Sequence, residues 1–495
     1  MGGRVAVVGA GMAGLWVALA LAPAGWDVVL LERDPPPPEG DPDTVFEDWR
    51  RRGVGQLRHS HAFLARLRLM IRDRHPELLA ALKAAGCRDL DLDGALTAQH
   101  RARYRPKPMD EDLVILTSRR TTLELVMRRY VAKLPGVTIR SDAFVRGLAI
   151  EPGAPPRVTG LALDDGTVLA ADLVVDAAGR TSEALEQLAA AGAVIPEEAE
   201  SAEVIYFTRH YRLRPGAEEP ARGEVASNGD LGYLKFGVFP ADNGWFSITL
   251  CLPEVEEALR QAIMDPAVFD AVCRQLPGPA TWIEPERTEG MSKVFGMGQL
   301  ESRWRDFAPG GRPAVLGYFA VGDSLVRTNP LYGRGCSFAA VGAELLAAAL
   351  AASSDPAQRA GRYAADVRRE LRPYFDVMRD ADRQAAARAR RILAPTSDNS
   401  LRRRILKSFQ EDAVALAIRE DPDVLRAFLK GFHMLEDPRA WLKRPSNLSK
   451  ILRMWARPKR AKADLYPPRP GPDRTALFEA VGVSATADVE RLRAA

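Results

Sequence analysis

The stretch that decides the fold runs from Arg4 to Asp34, RVAVVGAGMAGLWVALALAPAGWDVVLLERD. It begins with the apolar run 5–8, which is long enough for one buried strand, and then places Gly9, Gly11 and Gly14 ahead of a helix-forming run. A second short apolar run closes the stretch. The order of strand, tight turn, helix and strand predicts a βαβ unit built on a parallel sheet.

The spacing of the three glycines is the fingerprint of a dinucleotide site. Gly9 permits the tight turn, Gly11 lets the backbone approach a pyrophosphate, and Gly14 lets the helix pack on the sheet. The helix then directs its N-terminal amides at the anion. Glu32 ends the second strand, where a carboxylate accepts hydrogen bonds from an adenosine ribose. A secretory signal, the alternative, does not fit because glycines interrupt the run and only Arg4 is basic.

The overall composition is that of an ordinary globular chain. Its 495 residues suffice for two or three domains, and 46% of them are hydrophobic. A net charge of +4 gives no reason to expect a nucleic-acid partner. The four cysteines form neither a CxxC pair nor a metal-ligand cluster, so we expect no metal and a reduced, cytoplasmic chain. Because no apolar stretch reaches the roughly 20 residues of a membrane span, we expect a soluble or membrane-peripheral protein.

A second glycine-rich segment follows another buried strand much later in the chain. The run 317–321, GYFAV, leads into Gly322 and Asp323, and Gly333 and Gly335 open the next helix. A helix N-terminus without side chains offers amides and partial positive charge to an electron-rich ligand, such as the N1 and C2 carbonyl edge of a reduced flavin. Asp323 is suited to hold a polyol hydroxyl. A simple αβ turn would need neither the second glycine nor the Gly-Asp pair.

The segment 49–71, WRRRGVGQLRHSHAFLARLRLMI, carries three consecutive arginines and a His-x-His pair. Arginine forks bind phosphate oxygens. If this segment returns to the nucleotide, Arg52 contacts the pyrophosphate while Gln56, His59 and His61 lie toward the reactive end of the cofactor. The alternative is a solvated basic loop, and for the two histidines a structural role is as well supported as a catalytic one.

The remaining patterns predict the domain organisation. Aromatic and β-branched runs over 202–253 predict an antiparallel sheet, and the periodicity of 67–85 predicts a single amphipathic helix. We therefore predict three parts. They are a discontinuous nucleotide-binding domain over 1–195 and 310–355, a substrate domain over 196–309, and a helical, basic region over 356–495.

These features together resemble the FAD-dependent monooxygenases of the para-hydroxybenzoate hydroxylase fold. The resemblance spans residues 4–350 and rests on the first glycine motif with Glu32, the helix start at Arg120, the Gly322-Asp323 pair and the Pro330-x-x-Gly333-x-Gly335 motif. Within that group, RRGVGQLRHSHAFL is similar to a segment of bacterial FAD-dependent oxidoreductases related to squalene and polyether epoxidases. The resemblance implies an α/β fold, with a Rossmann-like FAD-binding domain of the glutathione-reductase type, an inserted antiparallel substrate sheet and a C-terminal helical region.

The resemblance also implies which residues form the site. The glycines of the second motif are expected against the flavin ring. Gln56, His59 and His61 are the candidates for catalysis. The implied FAD-binding residues are Gly9, Ala10, Gly11, Met12, Ala13, Gly14, Glu32, Arg33, Arg52, Arg120, Gly322, Asp323, Pro330, Gly333, Arg334 and Gly335.

The activity implied is that of a flavin enzyme acting on an apolar organic molecule. Such a monooxygenase inserts one oxygen atom, by epoxidation or hydroxylation, through a flavin C4a-hydroperoxide. The hydroxylases carry Ala-Asp-Gly where this chain has Ala177-Ala178-Gly179. The aspartate associated with NADPH use is therefore missing, and electrons come from NAD(P)H directly or through a separate flavin reductase.

Other activities of related proteins are weighed against the same residues. A prenyl-lipid reductase, a non-redox cyclase and a non-catalytic prenyl carrier remain alternatives. Flavin halogenases carry Trp-x-Trp-x-Ile-Pro where this chain reads GWFSITLCLP, which disfavours halogenation. Disulfide reductases need a cysteine pair near the first helix, and the earliest cysteine here is Cys87, which excludes that class.

Two further surfaces are expected to contact apolar molecules. The inserted sheet must cover the flavin, and the candidates, some of them ordinary core residues, are Tyr206, Phe207, Phe236, Phe239, Trp245 and Phe246. The segment 441–463 contains eight lysines or arginines and no acid. Its apolar side consists of Trp441, Leu448, Ile451, Leu452 and Trp455. This pattern suits peripheral contact with an anionic membrane and a lipid or polyprenoid substrate, the alternative being a helix packed on the main domain or on a second subunit.

Overall fold

A computed structural model describes residues 2–96, 98–221, 223, 225–394 and 400–494. The strands in this part of the chain are β1 (Arg4–Val8), β2 (Asp27–Leu31), β3 (Ala62–Phe63), β4 (Arg88–Leu90), β5 (Ile115–Thr117), β6 (Val137–Arg140), β7 (Val145–Glu151), β8 (Arg157–Leu163), β9 (Val168–Ala170), β10 (Leu173–Asp176), β11 (Glu197–Ser201), β12 (Val204–Leu213), β13 (Asn228–Asp230), β14 (Lys235–Pro240), β15 (Trp245–Pro253), β16 (Thr288–Gly290), β17 (Phe295–Met297), β18 (Glu301–Arg305), β19 (Tyr318–Ala320) and β20 (Val326–Arg327). The helices are α1 (Met12–Leu21), α2 (Pro42–Asp48), α3 (Ala65–Arg74), α4 (Pro76–Ala84), α5 (Ala98–Arg101), α6 (Arg120–Val131), α7 (Ala184–Ala190), α8 (Glu257–Ala262), α9 (Pro266–Arg274), α10 (Pro277–Trp282), α11 (Gly335–Ala352), α12 (Pro356–Leu393), α13 (Leu401–Ser408), α14 (Ala415–Glu420), α15 (Pro422–Phe432), α16 (Ala440–Lys443), α17 (Pro445–Ala456), α18 (Arg474–Ala480) and α19 (Ala487–Ala494).

A five-stranded parallel sheet, with the strand order β19-β10-β1-β2-β6, forms the centre of the half that the sequence predicts to bind a nucleotide. In its middle, Val5 pairs with Leu173 on one side and with Val28 on the other. Strands β2 and β10 are buried along nearly their whole length, as expected for parallel strands covered by helices on both faces. Helix α1 makes the crossover between β1 and β2 that parallel pairing requires.

A six-stranded antiparallel sheet forms the second layer, in the order β13-β14-β15-β12-β16, with β17 also paired to β12. Side chains alternate between its two faces. On one face Phe246, Ile248 and Leu250 belong to an apolar cluster packed under α9 and α10. On the other face the paired residues Thr208 and Thr249 point toward the nucleotide-binding half.

The predicted fold class is confirmed, because a parallel Rossmann-like core, added antiparallel sheets and C-terminal helices are all present. One local prediction is wrong. The single helix predicted over 67–85 is two helices, α3 and α4, which meet at His75 and Pro76. Proline has no amide hydrogen and its ring clashes with the preceding turn, so it begins a new helix here.

The C-terminal helices form a bundle with its own apolar cluster. This cluster contains Leu416, Val424, Trp441, Ile451 and Met454. The long helix α12 connects the bundle to α11, on which it packs. Among the described helices, α11 has the length and hydropathy of a membrane span, but it packs on α1 and α12 and contributes to the main core.

Candidate active site and cofactor cleft

A cavity of about 890 Å³ lies between the parallel sheet and the antiparallel sheet. Both glycine-rich turns identified in the sequence open onto it, and its far end is apolar. We call the end near Glu32 the nucleotide arm and the end near Phe239 the apolar arm. The predicted site residues that line the cavity are Gly9, Gly11, Met12, Ala13, Glu32, Arg33, Gln56, His59, His61, Arg120, Gly322, Asp323, Pro330, Gly333 and Gly335.

In the first glycine turn, two glycines shape the backbone and one leaves space. Gly9 has a φ of 98°, and a Cβ added there would lie 2.7 Å from the carbonyl oxygen of Ala177. A Cβ on Gly14 would overlap the carbonyl oxygen of Gly9. A Cβ on Gly11 would meet nothing within 4 Å. The open space beside Gly11 is where a ligand can approach the N-terminus of α1.

The second turn repeats this arrangement at the start of α11. Gly333 closes the preceding turn with a φ of 63°, and a Cβ on Gly335 would meet nothing within 4 Å. The first backbone amides of any α-helix lack partners within the helix, so they are free to bind a ligand. Two helix N-termini with glycine at their start, which we call bare helix openings, face one cavity. This arrangement fits a dinucleotide with an electron-rich ring at its far end.

Glu32 is buried at the nucleotide arm and already has protein partners. Its carboxylate accepts hydrogen bonds from the backbone amides of Ala10 at 2.9 Å and Asp34 at 3.1 Å, and it forms an ion pair with Arg51. A carboxylate has about four acceptor positions. Glu32 therefore keeps capacity for a ribose hydroxyl while the turn around Gly9 holds it in place.

Asp323 lies farther along the cavity and is more available. Its side chain makes no hydrogen bond or ion pair within the described part of the chain. Burial raises the pKa of this carboxyl, and the neighbouring cations, of which Arg327 acts most strongly, oppose that shift. Asp323 can therefore accept a hydrogen bond from a polyol hydroxyl, as the sequence predicts.

Arg52 is placed differently from the prediction. It is exposed and does not line the cavity, whereas its neighbour Arg51 lines it and is buried. The guanidinium of Arg51 forms ion pairs with Glu32 and with Glu124, which is 0% exposed. Since buried carboxylates need a counter-charge, they fix the side chain of Arg51 inward, and the next side chain points to solvent.

Three other predicted cofactor residues lie behind the cavity wall. Ala10 is in the core and contributes only its backbone amide, and Gly14 packs against the turn. Arg334 is buried, and its guanidinium lies 5.2 Å from the ring centre of Tyr374. Burial lowers the pKa of Arg334 to about 10. These residues support the turns and do not face the ligand space.

The two predicted catalytic histidines both line the cavity, in neutral form. Nδ1 of His61 donates a hydrogen bond to the carbonyl oxygen of His59 at 2.8 Å, which leaves Nε2 with a lone pair. Burial lowers the pKa of His59 to about 4 and that of His61 to about 3. Near neutral pH both rings therefore act as hydrogen-bonding groups and neither carries a positive charge.

A chain of hydroxyl groups runs from His59 across the antiparallel sheet. Nδ1 of His59 lies 2.9 Å from Oγ1 of Thr208, which lies 2.7 Å from Oγ1 of Thr249. Thr249 donates to Ser60 at 2.7 Å, and Ser60 contacts Ser247 at 2.7 Å. Each hydroxyl has one proton to donate, so Thr208 donates to Thr249 and His59 donates from Nδ1. Sequence reasoning missed this chain, although Ser247 and Thr249, two residues apart on β15, were a usable signal.

A second polar network joins the cavity to helix α12. The hydroxyl of Tyr206 donates to Oδ1 of Asn329 at 2.6 Å, and Nδ2 of Asn329 donates to Oδ1 of Asp382 at 2.8 Å. Tyr332 also donates to Asp382, at 2.9 Å. Burial raises the pKa of Asp382 to about 6. No signal in the sequence pointed to Asp382, because it lies in an arginine-rich helix remote from both motifs.

The apolar arm has two walls of different origin. Of the six aromatic candidates, Tyr206, Phe236 and Phe239 line the cavity. The other three, Phe207, Trp245 and Phe246, do not line it and pack into apolar clusters. A further part of the lining was not predicted and comes from the end of α15. Its lining residues are Phe428, Leu429, Phe432 and His433.

Comparison by sequence gives one short match. The model of the family described as FAD dependent oxidoreductase matches residues 4–43, which contain the first glycine turn and Glu32. None of the curated proteins matches the chain. The match therefore covers the nucleotide arm.

Comparison by structure extends over most of the chain. The crystal structure of PqsL, a probable FAD-dependent monooxygenase from Pseudomonas aeruginosa, has a TM-score of 0.56 and 17% identity, covering 79% of this chain and 98% of that one. The flavin-dependent halogenase CmlS has a TM-score of 0.56 and 16% identity, covering 92% of this chain and 77% of that one. A triple mutant of the flavin-dependent brominase Bmp2 has a TM-score of 0.54 and 16% identity, covering 82% and 93%. At these identities the likeness shows the fold alone.

Proposed function

We propose that the chain is an FAD-dependent monooxygenase that inserts one oxygen atom into an apolar organic substrate. The observation that carries the proposal is the convergence of two bare helix openings, at Gly11 and Gly335, on one cavity with an apolar arm. The family match at residues 4–43 and the shared fold of flavin monooxygenases add support. The finer relationship to squalene and polyether epoxidases remains part of the proposal.

The residues of the nucleotide arm would hold FAD along its length. The amides at the start of α1 would bind the pyrophosphate, and Glu32 and Asp323 would accept hydrogen bonds from ribose and ribityl hydroxyls. The start of α11 would face the flavin ring and favour its reduced, anionic form. FAD, when bound and reduced, supplies the chemistry that activates molecular oxygen.

The residues of the apolar arm would orient the substrate and exclude water. Phe236 and Phe239 of the antiparallel sheet and Phe428 and Phe432 of α15 line this arm. An apolar enclosure strengthens each hydrogen bond inside it and prevents loss of reactive species to water. A substrate of this site is therefore expected to be largely hydrocarbon, such as an alkene or an aromatic compound.

Proton handling would fall to the histidine and hydroxyl groups beside the apolar arm. Nε2 of His61 carries a lone pair and would accept a hydrogen bond from a donor in the cavity. His59 donates from Nδ1 to Thr208, which fixes its ring and leaves its own Nε2 as an acceptor. Both rings would orient donors without being protonated themselves near neutral pH.

We also propose that electrons reach the flavin from a separate reductase. This rests on the single dinucleotide fingerprint and on Ala178 at the position where the aromatic hydroxylases carry aspartate. The alternative is NAD(P)H that binds transiently without a dedicated domain. Anaerobic mixing of the purified protein with NADPH decides between them, since rapid bleaching of the flavin by the chain alone would defeat the separate-reductase version.

The proposed function is tested by cofactor content and by isotope labelling. The purified chain should be yellow and should release FAD on heating. With a flavin reductase and candidate polyenes or aromatic compounds under labelled oxygen gas, one labelled oxygen atom should enter the product. A product that gains two hydrogens and no oxygen would identify a prenyl-lipid reductase, and an isomerised product would identify a non-redox cyclase. A colourless protein that cannot be reconstituted would identify a carrier.

Halogenation is tested in the same assay. Lys235 lines the apolar arm, but its ammonium lies 3.6 Å from the carboxylate of Asp230. This pairing and the absence of the Trp-x-Trp motif favour oxygen insertion. Adding chloride or bromide should leave the oxygenated product unchanged, and a halogenated product in its place would overturn the monooxygenase proposal.

A further inference from the structure

Two C-terminal helices carry apolar side chains that face solvent. On α17 these are Leu448, Leu452 and Trp455, which are 38%, 45% and 36% exposed. Their spacing of four and three residues places them on one face of the helix. On α13, Leu401 and Ile405 are 70% and 45% exposed and also lie four residues apart. We call these five side chains the apolar patch.

The two halves of the apolar patch meet at the end of α13. Nε1 of Trp455 donates a hydrogen bond to Oγ of Ser408 at 3.1 Å, and the rings of Trp455 and Phe409 are 5.4 Å apart. Ser408 lies seven residues after Leu401 and three after Ile405, so it is on the same helical face. The exposed stripe of α13 therefore continues into that of α17.

The opposite face of α17 belongs to the protein interior. Trp441 and Ile451, which the sequence places with the membrane-facing residues, are 6% and 0% exposed and pack in the C-terminal cluster. Lys462 also points inward and donates to the carbonyl oxygens of Asp412 and Met454. The segment 441–463 is thus divided between a packed side and an exposed side, and α13 completes the exposed side.

Positive charge surrounds the apolar patch. Residues 401–408 contain four arginines or lysines and no acid, and residues 445–463 also contain no acid. Arg402, Arg404 and Arg453 are exposed, and none of the three forms an ion pair with another described residue. Apolar side chains ringed by unpaired arginines match the acyl boundary and phosphates of an anionic bilayer.

The same charges disfavour a second copy of the chain as the occupant. In a symmetric dimer an interface places the same surface against itself. The arginines around the patch would then face one another, which is unfavourable unless acids are interleaved. An anionic lipid surface supplies the missing negative charge without any such cost.

We propose that the apolar patch docks the protein on an anionic membrane surface, with its leucines and Trp455 in the acyl boundary and its arginines on lipid phosphates. The patch is one helical layer from the cavity, because Phe428 lines the apolar arm and its ring lies 5.6 Å from that of Trp441. Docking would bring an apolar substrate dissolved in the bilayer close to that arm. This last step rests on the proposed function, whereas docking itself does not.

Flotation of the full chain with lipid vesicles tests the docking. Vesicles of phosphatidylcholine alone are compared with vesicles that also contain phosphatidylglycerol. The protein should float with the anionic vesicles and remain at the bottom with the neutral ones. Raising the salt to about 1 M, where the Debye length falls to about 3 Å, should release most of it.

Two variants separate the apolar and the charged contributions. Leu448→Ser with Leu452→Ser removes apolar side chains, and Arg402→Gln with Arg404→Gln and Arg453→Gln removes charge. Each should weaken binding to anionic vesicles by about tenfold or more, because apolar burial and basic charge both contribute to interfacial binding. Val194→Ser with Lys133→Gln changes an exposed valine and an exposed lysine elsewhere and should leave binding unchanged.

The outcomes separate docking from the alternatives and from the proposed function. Failure of the unaltered chain to float with anionic vesicles overturns the docking proposal. Flotation of both patch variants to the same extent as the unaltered chain also overturns it. So does a dimer in sedimentation velocity that the Leu448→Ser, Leu452→Ser variant dissociates, since the patch would then be a subunit interface. FAD content is measured in the same samples. A colourless protein that still floats with anionic vesicles would refute the proposed function and leave the docking proposal standing.

Discussion

Asn329 donates a hydrogen bond from its side-chain amide to the carboxylate of Asp382 at 2.8 Å, and so ties the loop before Pro330 to helix α12. The same asparagine accepts a hydrogen bond from Tyr206 at 2.6 Å. Three segments that are far apart in sequence therefore hold the second glycine turn in place. The carboxylate of Asp382 is buried in this network, and its other oxygen has no partner among the described residues.

Asp382 should make stability depend on pH. Its pKa is about 6 in the folded protein because of burial, against 3.8 when unfolded, so the folded state binds the proton more tightly. The stabilisation is full below about pH 4 and is lost as pH rises through about 6, amounting to about 2 to 3 kcal/mol. Asp382→Asn should remove this slope in denaturant titrations across that range. Asp380→Asn, at an exposed neighbour, should retain it, and an unchanged slope in Asp382→Asn would refute the assignment.

Arg51 and Arg52 form a matched pair of substitutions. Arg51→Gln leaves Glu32 buried without its counter-charge and Glu124 with Arg120 alone, and should cost about 3 to 5 kcal/mol of unfolding free energy. Arg52→Gln should change it by less than about 0.5 kcal/mol, since the side chain is exposed. Denaturant unfolding measures both. If the Arg51→Gln protein does not accumulate, Arg51→Lys is measured instead. It keeps the charge, and its loss of unfolding free energy should be smaller than that of Arg51→Gln and larger than that of Arg52→Gln. Equal effects at both positions would contradict the structure.

Gly11 should tolerate a methyl group in the fold but not in the cofactor complex. A Cβ there meets no protein atom, so Gly11→Ala should fold normally. The methyl group would occupy the space beside the start of α1 and should weaken FAD binding by about tenfold or more, or about 1.4 kcal/mol. Fluorescence titration of the apoprotein with FAD measures the affinity. Gly361→Ala, in the second turn of α12, is the control and should leave FAD affinity unchanged.

The rate of the reaction should be independent of histidine ionisation near neutral pH. The pKa of His59 is about 4 and that of His61 about 3, both lowered by burial, so neither ring gains a proton above about pH 6. With saturating reduced flavin, the rate of product formation should therefore be constant from about pH 6 to about pH 8. A rise or fall centred near 6.5 in the native chain, abolished in His61→Gln, would show that a histidine titrates during the reaction.

Thr208 should matter for the rate through its contact with His59. Thr208→Val keeps the shape of the side chain and removes both hydrogen bonds, which leaves Nδ1 of His59 without its acceptor. The expected result is about a tenfold lower rate of oxygenation, the value of one hydrogen bond of about 1 to 1.5 kcal/mol, with unchanged FAD affinity. Thr167→Val, on an exposed turn, should behave like the unaltered chain. Loss of FAD from Thr208→Val would indicate a structural role.

Local sequence was enough to predict the two glycine turns and most of the strands. Gly9, Gly11 and Gly335 are constrained by backbone geometry and by close approach of a ligand, and both constraints act within a few residues of chain. The antiparallel sheet was likewise predictable because alternation is local. The split at Pro76 was missed although proline is itself a local signal, because the apolar pattern continues across it.

The remaining site residues depend on contacts between distant segments. Three arginines in a row carry no local sign of which one faces the buried carboxylates. The positions of Glu32 on the nucleotide arm and Glu124 in α6 select Arg51. Phe432 reaches the cavity, and Asp382 reaches Asn329, through the packing of the C-terminal helices on the rest of the molecule. The exposed and buried sides of α17 were also inseparable by composition, since Ile451 and Leu452 are chemically alike.

Because α15 contributes part of the cavity wall, substrate choice and cofactor binding depend partly on different segments of the chain. Phe428 lies on α15 outside both glycine turns, whereas the ring centre of Phe432 lies 5.9 Å from the guanidinium of Arg334 in the second turn. Variation at Phe428 would therefore redirect substrate choice while the proposed cofactor cleft stays unchanged. Directed evolution toward bulkier or smaller compounds is therefore best begun in this helix.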